Sequence, residues 1–171
     1  MLIYLIGYMG SGKTTVGKKL AKKLGFQFLD LDDMIERKYK IEVREFFQKY
    51  DEKSFRKIEH DTLLLTFKLS HAVIATGGGT PCFFNNTELI NQNGISVYIE
   101  MSNLSLFHRL SNSKRPRPLV QSKSNEELKQ FIKAHLEERL PFYSKAHFTI
   151  KGENLDMDSL IEKINNWDKT K

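Results

Sequence analysis

Residues Gly7-Tyr8-Met9-Gly10-Ser11-Gly12-Lys13-Thr14 fit the spacing G-x-x-x-x-G-K-[ST]. Glycines at this spacing let backbone N–H groups close around phosphate oxygens. A helix starting from the loop adds the partial positive charge of its N-terminus. Lys13 would then reach the outer phosphates of a nucleoside triphosphate, and the Thr14 hydroxyl would bind Mg²⁺. Thr15, one residue on, offers another hydroxyl and N–H. Gly10, Ser11, Gly12, Lys13, Thr14 and Thr15 are thus the expected nucleotide contacts. The bland alternative is a glycine-rich turn, and its surroundings argue against it: the apolar run Leu2–Ile6 precedes the loop and the amphipathic stretch Thr15–Leu24 follows.

Further chemistry is spread along the chain. Asp30 and Asp32 end an apolar segment, Phe28–Asp32. If that segment is extended, both carboxylates project to one side. Such a pair can hold hydrated Mg²⁺ or accept a proton from an attacking hydroxyl. The competing reading is that Asp30–Asp33 caps a helix beginning near Met34. Arg56 and Glu59 sit at helical i, i+3 spacing, either as an exposed ion pair or with Glu59 holding Arg56 for a substrate carboxylate. Thr76-Gly77-Gly78-Gly79 follows another apolar run. Three glycines in a row suit a place where backbone touches a ligand, or else a flexible turn. No acid follows that run, where many phosphate-loop proteins carry a Mg²⁺-ordering aspartate; Thr76 stands there instead.

The elements that must position these groups alternate. Strands are expected at Leu2–Ile6, Phe26–Leu29, Ala72–Ala75, Ile95–Ile99 and Phe148–Ile150. Helices are expected at Thr15–Leu24, Val43–Tyr50, Glu52–Leu69 and, by residue number, 86–93, 103–111, 124–138 and 157–167. This alternation predicts an α/β fold with a parallel sheet flanked by helices, its ligands beyond the carboxyl ends of the strands. A length of 171 residues suits one domain, 1–171.

Composition narrows the function classes. Apolar residues at 40% and charged residues at 28% describe a globular domain rather than a disordered chain. One cysteine, Cys82, excludes an intramolecular disulfide framework and a multi-cysteine zinc site; it reads as an inert packing residue. No apolar run approaches the roughly 18 residues of a membrane span, and no secretory pattern flanks Met1–Ile6. The net charge of +6 is concentrated in two places. Residues 1–29 carry five lysines and no acid, and 111–123 carry Lys114, Arg115, Arg117 and Lys123 and no acid. Local clusters fit phosphate binding better than a nucleic-acid stripe.

Taken in order, Gly7–Thr15, Asp30-Leu31-Asp32, Phe55–Glu59, Gly77–Gly79, Arg117-Pro118-Leu119 and Arg139 within Glu138–Tyr143 resemble the shikimate kinase family. The resemblance spans most of the chain. It implies a P-loop NTPase fold of the nucleoside-monophosphate-kinase type with a five-stranded parallel sheet. It implies transfer of the γ-phosphoryl of MgATP to the 3-hydroxyl of shikimate, giving shikimate 3-phosphate and ADP in aromatic amino-acid biosynthesis. By motif, Asp32 would bind shikimate hydroxyls and act as base or orienter. Arg56 and Arg139 would clamp the carboxylate, Glu59 would position Arg56, and Gly78 and Gly79 would meet the ring. Asp30 and Thr76 would hold Mg²⁺ through water. Arg117, on a lid over 111–123, would approach the phosphates; Pro116 and Val120 depart from the family's usual lid. Arg109 and Arg115 compete for an adenine-contacting role, with an adenine loop near Lys151–Leu155. The shikimate-binding region is about 30–60. Expected partners are ATP and shikimate alone, with no nucleic acid and no membrane, for a cytoplasmic monomer.

Overall fold

A computed structural model describes residues 1–113 and 123–167. Five parallel strands form one sheet: β1 (Leu2–Ile6), β2 (Gln27–Asp30), β3 (Ala72–Ala75), β4 (Ile95–Glu100) and β5 (Phe148–Lys151), in the spatial order β2-β3-β1-β4-β5. The helices among the described residues are α1 (Lys13–Leu24), α2 (Leu31–Tyr39), α3 (Val43–Lys49), α4 (Glu52–Thr66), α5 (Asn86–Asn93), α6 (Asn103–Ser111), α7 (Asn125–Tyr143) and α8 (Met157–Asn165). None is long and apolar enough to cross a membrane.

Side-chain alternation along β1 shows how the layers form. Leu2, Tyr4 and Ile6 point to one face, where Leu63 of α4, Ile90 of α5, Leu106 of α6 and Ile132 of α7 cover them. Ile3 and Leu5 point to the other, under Val16 and Leu20 of α1 and Leu160 and Ile164 of α8. A strand buried on both faces must be apolar throughout, and β1 is. Trp167, just after α8, packs onto this second cluster. A third, smaller cluster of Ile35, Phe46 and Phe55 ties α2, α3 and α4 together beside the main core.

Three local details differ from the expected elements, and two of them move site residues. The chain does not stay extended through Asp32. Asp30 is the N-cap of α2, its carboxylate accepting the Asp32 N–H at 3.1 Å, so the helix begins at Leu31. Helix α7 does not stop at 138 but runs to Tyr143 through Pro141. A proline in the last turn removes a single backbone bond, a loss small against a 19-residue helix. Arg139 therefore stands on a helix. Helix α4 ends at Thr66, short of the expected Leu69, and its Leu65 is 46% exposed and lies outside the core.

Candidate active site

The loops leaving β1, β2 and β3 open at the same edge of the sheet. After β1, Gly12 adopts φ +98°, a left-handed conformation that favours glycine, and hands the chain to α1. Lys13 is buried, and its Nζ donates to the carbonyls of Gly7 (2.8 Å) and Tyr8 (2.9 Å), which shape the loop from within. The Ser11 hydroxyl is buried with no hydrogen-bond partner, an unmet polar demand within the expected phosphate cradle. Gly10 and Gly12 lie beside it, and Thr15 is exposed at the start of α1.

Arg109 of α6 reaches over the loop, its Nη1 donating to the carbonyls of Gly10 (3.3 Å) and Ser11 (3.2 Å). This places Arg109 at the nucleotide end. Its rival Arg115 lies outside the described residues, as do Pro116, Arg117 and Val120; of 111–123, only 111–113 and 123 are described.

Asp30 links the loop to the rest of the site. Its Oδ2 accepts the Thr14 hydroxyl at 2.8 Å while Oδ1 caps α2. Thr14 and Asp30 thus bring hard oxygen donors together, which suits Mg²⁺. Thr76 is buried with its hydroxyl donating to the Leu5 carbonyl at 3.1 Å.

Beyond Asp30 opens a cavity of about 640 Å³. Asp32, Arg56, Glu59, Gly77–Gly79 and Arg139 line it together with Thr14 and Asp30. Groups from five separate stretches of sequence therefore share one hollow.

Arg56 is buried, and so is its partner Glu59, one helical turn on. The exposed-pair reading is excluded. The guanidinium also bonds the carboxylate of Glu52 through Nη2 (3.0 Å) and Nε (3.2 Å), and lies 4.5 Å from the centre of the Phe83 ring. Burial alone would depress its pKa, but Glu59 and then Glu52 outweigh burial and raise it, so the charge persists in the cavity wall. The second oxygen of Glu59 accepts the Thr80 hydroxyl at 2.7 Å. Thr80 follows the glycine loop directly; a hydroxyl there had no local signal of its role.

The glycine loop is shaped by crowding. A Cβ on Gly79 would fall 2.6 Å from Nη1 of Arg56, and one on Gly77 would fall 2.4 Å from Oε1 of Glu59. Such approaches exclude any side chain unless the partner moves. The Gly78 carbonyl accepts the Tyr143 hydroxyl at 2.5 Å. Arg139, only 8% exposed, enters from α7. Cys82 is half-buried nearby, and burial pushes its thiol up to about 11 against the pull of Arg139 and Arg56. It stays protonated and unreactive at neutral pH.

A phosphate loop between β1 and α1, a parallel sheet of order 2-3-1-4-5 and an acceptor hollow flanked by α2–α4 define a phosphate-loop kinase of the nucleoside-monophosphate-kinase type acting on a small molecule. Residues 9–169 match the family model for shikimate kinase. The chain is 44% identical over 164 residues to a shikimate kinase of Parabacteroides distasonis, covering 96% of this chain and 95% of that one. It superimposes on a shikimate kinase structure from Bacteroides thetaiotaomicron with a TM-score of 0.89 at 38% identity, covering 96% of each chain. A shikimate kinase from Acinetobacter baumannii in complex with shikimate gives 0.84 at 38% identity, over 96% of this chain and 90% of that one. A deoxyadenosine kinase from M. mycoides, 19% identical with a TM-score of 0.59, shares the fold. The chain belongs to the shikimate kinase family, whose members are ATP-dependent kinases, and kinases that use ATP generally need a divalent metal.

Proposed function

We propose a division of labour for the shikimate kinase reaction, in which the γ-phosphoryl of ATP passes to the 3-hydroxyl of shikimate, yielding ADP and shikimate 3-phosphate. Gly10, Ser11, Gly12, Lys13, Thr14 and Thr15 bind the nucleotide phosphates. Arg56 and Arg139 grip the shikimate carboxylate, because a planar guanidinium matches a carboxylate in two parallel bonds. Glu59 keeps Arg56 in place. Gly78 and Gly79 offer their backbone to the ring, which their lack of Cβ allows to come close. Asp32 takes the hydroxyl groups, orients the attacking one and accepts its proton late in transfer.

Thr14 and, through water, Asp30 would hold Mg²⁺, which when bound neutralises phosphate charge. Lys13 exchanges its bonds to the loop carbonyls for phosphate oxygens and offsets charge as the bond to the leaving oxygen lengthens. Arg117, from the lid segment 111–123, adds a second cation there. Little covalent work falls to side chains in such a transfer, so positioning and charge dominate. The chain acts as a cytoplasmic monomer on small molecules, without nucleic acid or membrane.

The observation that carries this reading is the meeting of Arg56 and Arg139, from α4 and α7, with Asp32 in one cavity that also reaches Thr14 of the phosphate loop. A coupled ADP-release assay tests it, with shikimate, gluconate and nucleoside monophosphates as acceptors. Shikimate is expected to support turnover and the others not. Faster turnover with a nucleoside monophosphate or gluconate would overturn the acceptor assignment.

A further inference from the structure

Behind the acceptor cavity, Tyr8, His135 and Arg139 pack together. Tyr8 is the second residue of the phosphate loop and is 1% exposed. Its carbonyl holds Lys13 at 2.9 Å and the Ser11 N–H at 3.1 Å. Its ring faces the Arg139 guanidinium, 5.7 Å from the ring centre. Its hydroxyl lies 2.9 Å from Nδ1 of His135, and the two rings meet edge to face at 5.5 Å. His135 and Arg139 are four residues apart on α7, so both lie along the same helical face. Phe131, a further turn back, stacks on His135 with ring centres 4.8 Å apart.

Protonation states make this a bond between two neutral groups. Burial first, then Arg139 and Arg56, push His135 down to about 4 against a smaller upward pull from Glu52. Burial pushes the Tyr8 phenol up to about 12. Near pH 7 the imidazole is neutral and the phenol keeps its proton. With the imidazole proton on Nε2, Nδ1 accepts the Tyr8 hydroxyl.

The two arginines of the cavity are held differently. Arg56 is fixed by the carboxylates of Glu52 and Glu59. Among the described residues, Arg139 has no carboxylate ion pair of that kind; it rests against the Tyr8 ring and bonds the Tyr143 hydroxyl. A long guanidinium side chain loses rotamer freedom when it binds, so a fixed support preserves affinity for its ligand. We propose that Tyr8 and His135 are positioning residues for Arg139: the hydroxyl–imidazole bond fixes the Tyr8 ring, and the ring aims the guanidinium at the acceptor carboxylate. This rests on the reading that Arg139 binds that carboxylate. It also makes one residue, Tyr8, the common mount of Lys13 on the donor side and Arg139 on the acceptor side.

The test compares Tyr8→Phe, His135→Leu, His135→Asn and Arg139→Ala in steady-state kinetics with shikimate and ATP varied separately, alongside thermal melts. Tyr8→Phe keeps the ring and loses the bond. His135→Leu keeps bulk and loses the acceptor. His135→Asn presents an amide oxygen near the position of Nδ1. Loss of one neutral hydrogen bond corresponds to roughly 2- to 12-fold. The KM for shikimate is expected to rise by about that factor in Tyr8→Phe and His135→Leu, with kcat and the KM for ATP within about twofold. His135→Asn should restore it, and the double variant Tyr8→Phe/His135→Leu should be no worse than either single one. If Arg139→Ala raises the KM for shikimate but Tyr8→Phe and His135→Leu leave it unchanged, the positioning role fails alone. Equal losses toward both substrates with lowered melting temperature, unrescued by His135→Asn, mean a structural role and also overturn it. If Arg139→Ala leaves the KM for shikimate unchanged, the carboxylate assignment itself fails and the proposal falls with it.

Discussion

Glu59 divides its carboxylate between two partners: one oxygen pairs with Arg56 a helical turn away, and the other accepts the Thr80 hydroxyl at 2.7 Å. A single buried acid thus fixes both a cation of α4 and the segment that follows the glycine loop. The remaining carboxylate on Arg56, Glu52, has a side chain 61% exposed and is screened by water.

Removal of Glu59 should therefore act on folding and on acceptor binding together. Stripping one member from a buried ion pair costs about 3–5 kcal/mol. Glu59→Ala is expected to melt well below the parent and to raise the KM for shikimate roughly 10-fold or more through a misplaced Arg56. Glu59→Gln keeps the shape and the Thr80 bond and should fall between the two. Melting curves paired with shikimate kinetics decide it, and an unchanged KM in both variants would remove Glu59 as the holder of Arg56.

Asp30 caps α2 and, on the proposed reading, also holds the metal; one substitution separates the two. Asparagine caps helices about as well as aspartate. Asp30→Asn should keep the cap on α2 and melt within about 0.5 kcal/mol of the parent, while losing the negative charge beside Thr14. Its Mg²⁺ requirement should shift to higher concentration. Asp30→Ala should show the same metal shift plus about 0.5–2 kcal/mol of lost stability. Metal titrations of ATP turnover together with melts measure both quantities; Mg²⁺ dependence unaltered in Asp30→Asn would exclude the metal role.

At Gly79 the restriction is space rather than backbone angle. A methyl group there meets the far end of the Arg56 side chain, at 2.6 Å from Nη1 and 2.8 Å from Cζ and Nη2. The side chain can move, so Gly79→Ala should fold. The guanidinium must leave its place, and the KM for shikimate should rise about 10-fold, the loss of one charge-assisted contact. ATP binding should hold. Isothermal titration with each substrate separates the effects, and intact shikimate affinity would show that Arg56 works from another position.

His135 predicts a pH signature in stability. Its folded pKa of about 4 lies below the ordinary histidine value. Above about pH 6.5 the ring is neutral in both folded and unfolded chains and costs nothing. As pH falls from there toward 4, the unfolded chain binds the proton first, and stability is lost progressively. Replacing the ring by the non-titrating His135→Asn should make the melting temperature fall less between pH 7 and 4.5. Parallel slopes for the two proteins would contradict a depressed His135.

Contiguous chemistry was readable from residue order, whereas chemistry assembled by folding was reachable only through the family resemblance. The phosphate loop lies in eight consecutive positions between an apolar strand and a helix, so type and spacing suffice. The core strands β1 and β3 match their apolar runs because burial on both faces demands such runs. The start of α2 was ambiguous, since Phe28–Asp32 serves equally as a strand end or a helix start. A side-chain hydrogen bond from the Asp32 N–H to Asp30 decides it. Arg139 lay beyond the expected end of its helix because Pro141 reads as a breaker, yet packing of α7 outweighs one missing bond. Arg56 and Glu59 at i, i+3 are indistinguishable from a solvated surface pair until the Phe83 ring and Thr80 close over them. Tyr8 and His135 stand 127 positions apart, and no local pattern connects an aromatic loop residue to a lone histidine at that range.

The ladder between β1 and β3 pairs Leu5 with Ala75, immediately before the two glycine-bearing turns. Adjacent strands are separated by about 4.8 Å, a spacing set by peptide hydrogen bonds and hardly by side-chain identity. The offset between incoming donor and waiting hydroxyl is therefore inherited from main-chain pairing. The solvent-facing sides of the helices can drift in composition without misaligning the reaction, whereas a single-step slip of these two strands would abolish it even with every site residue retained.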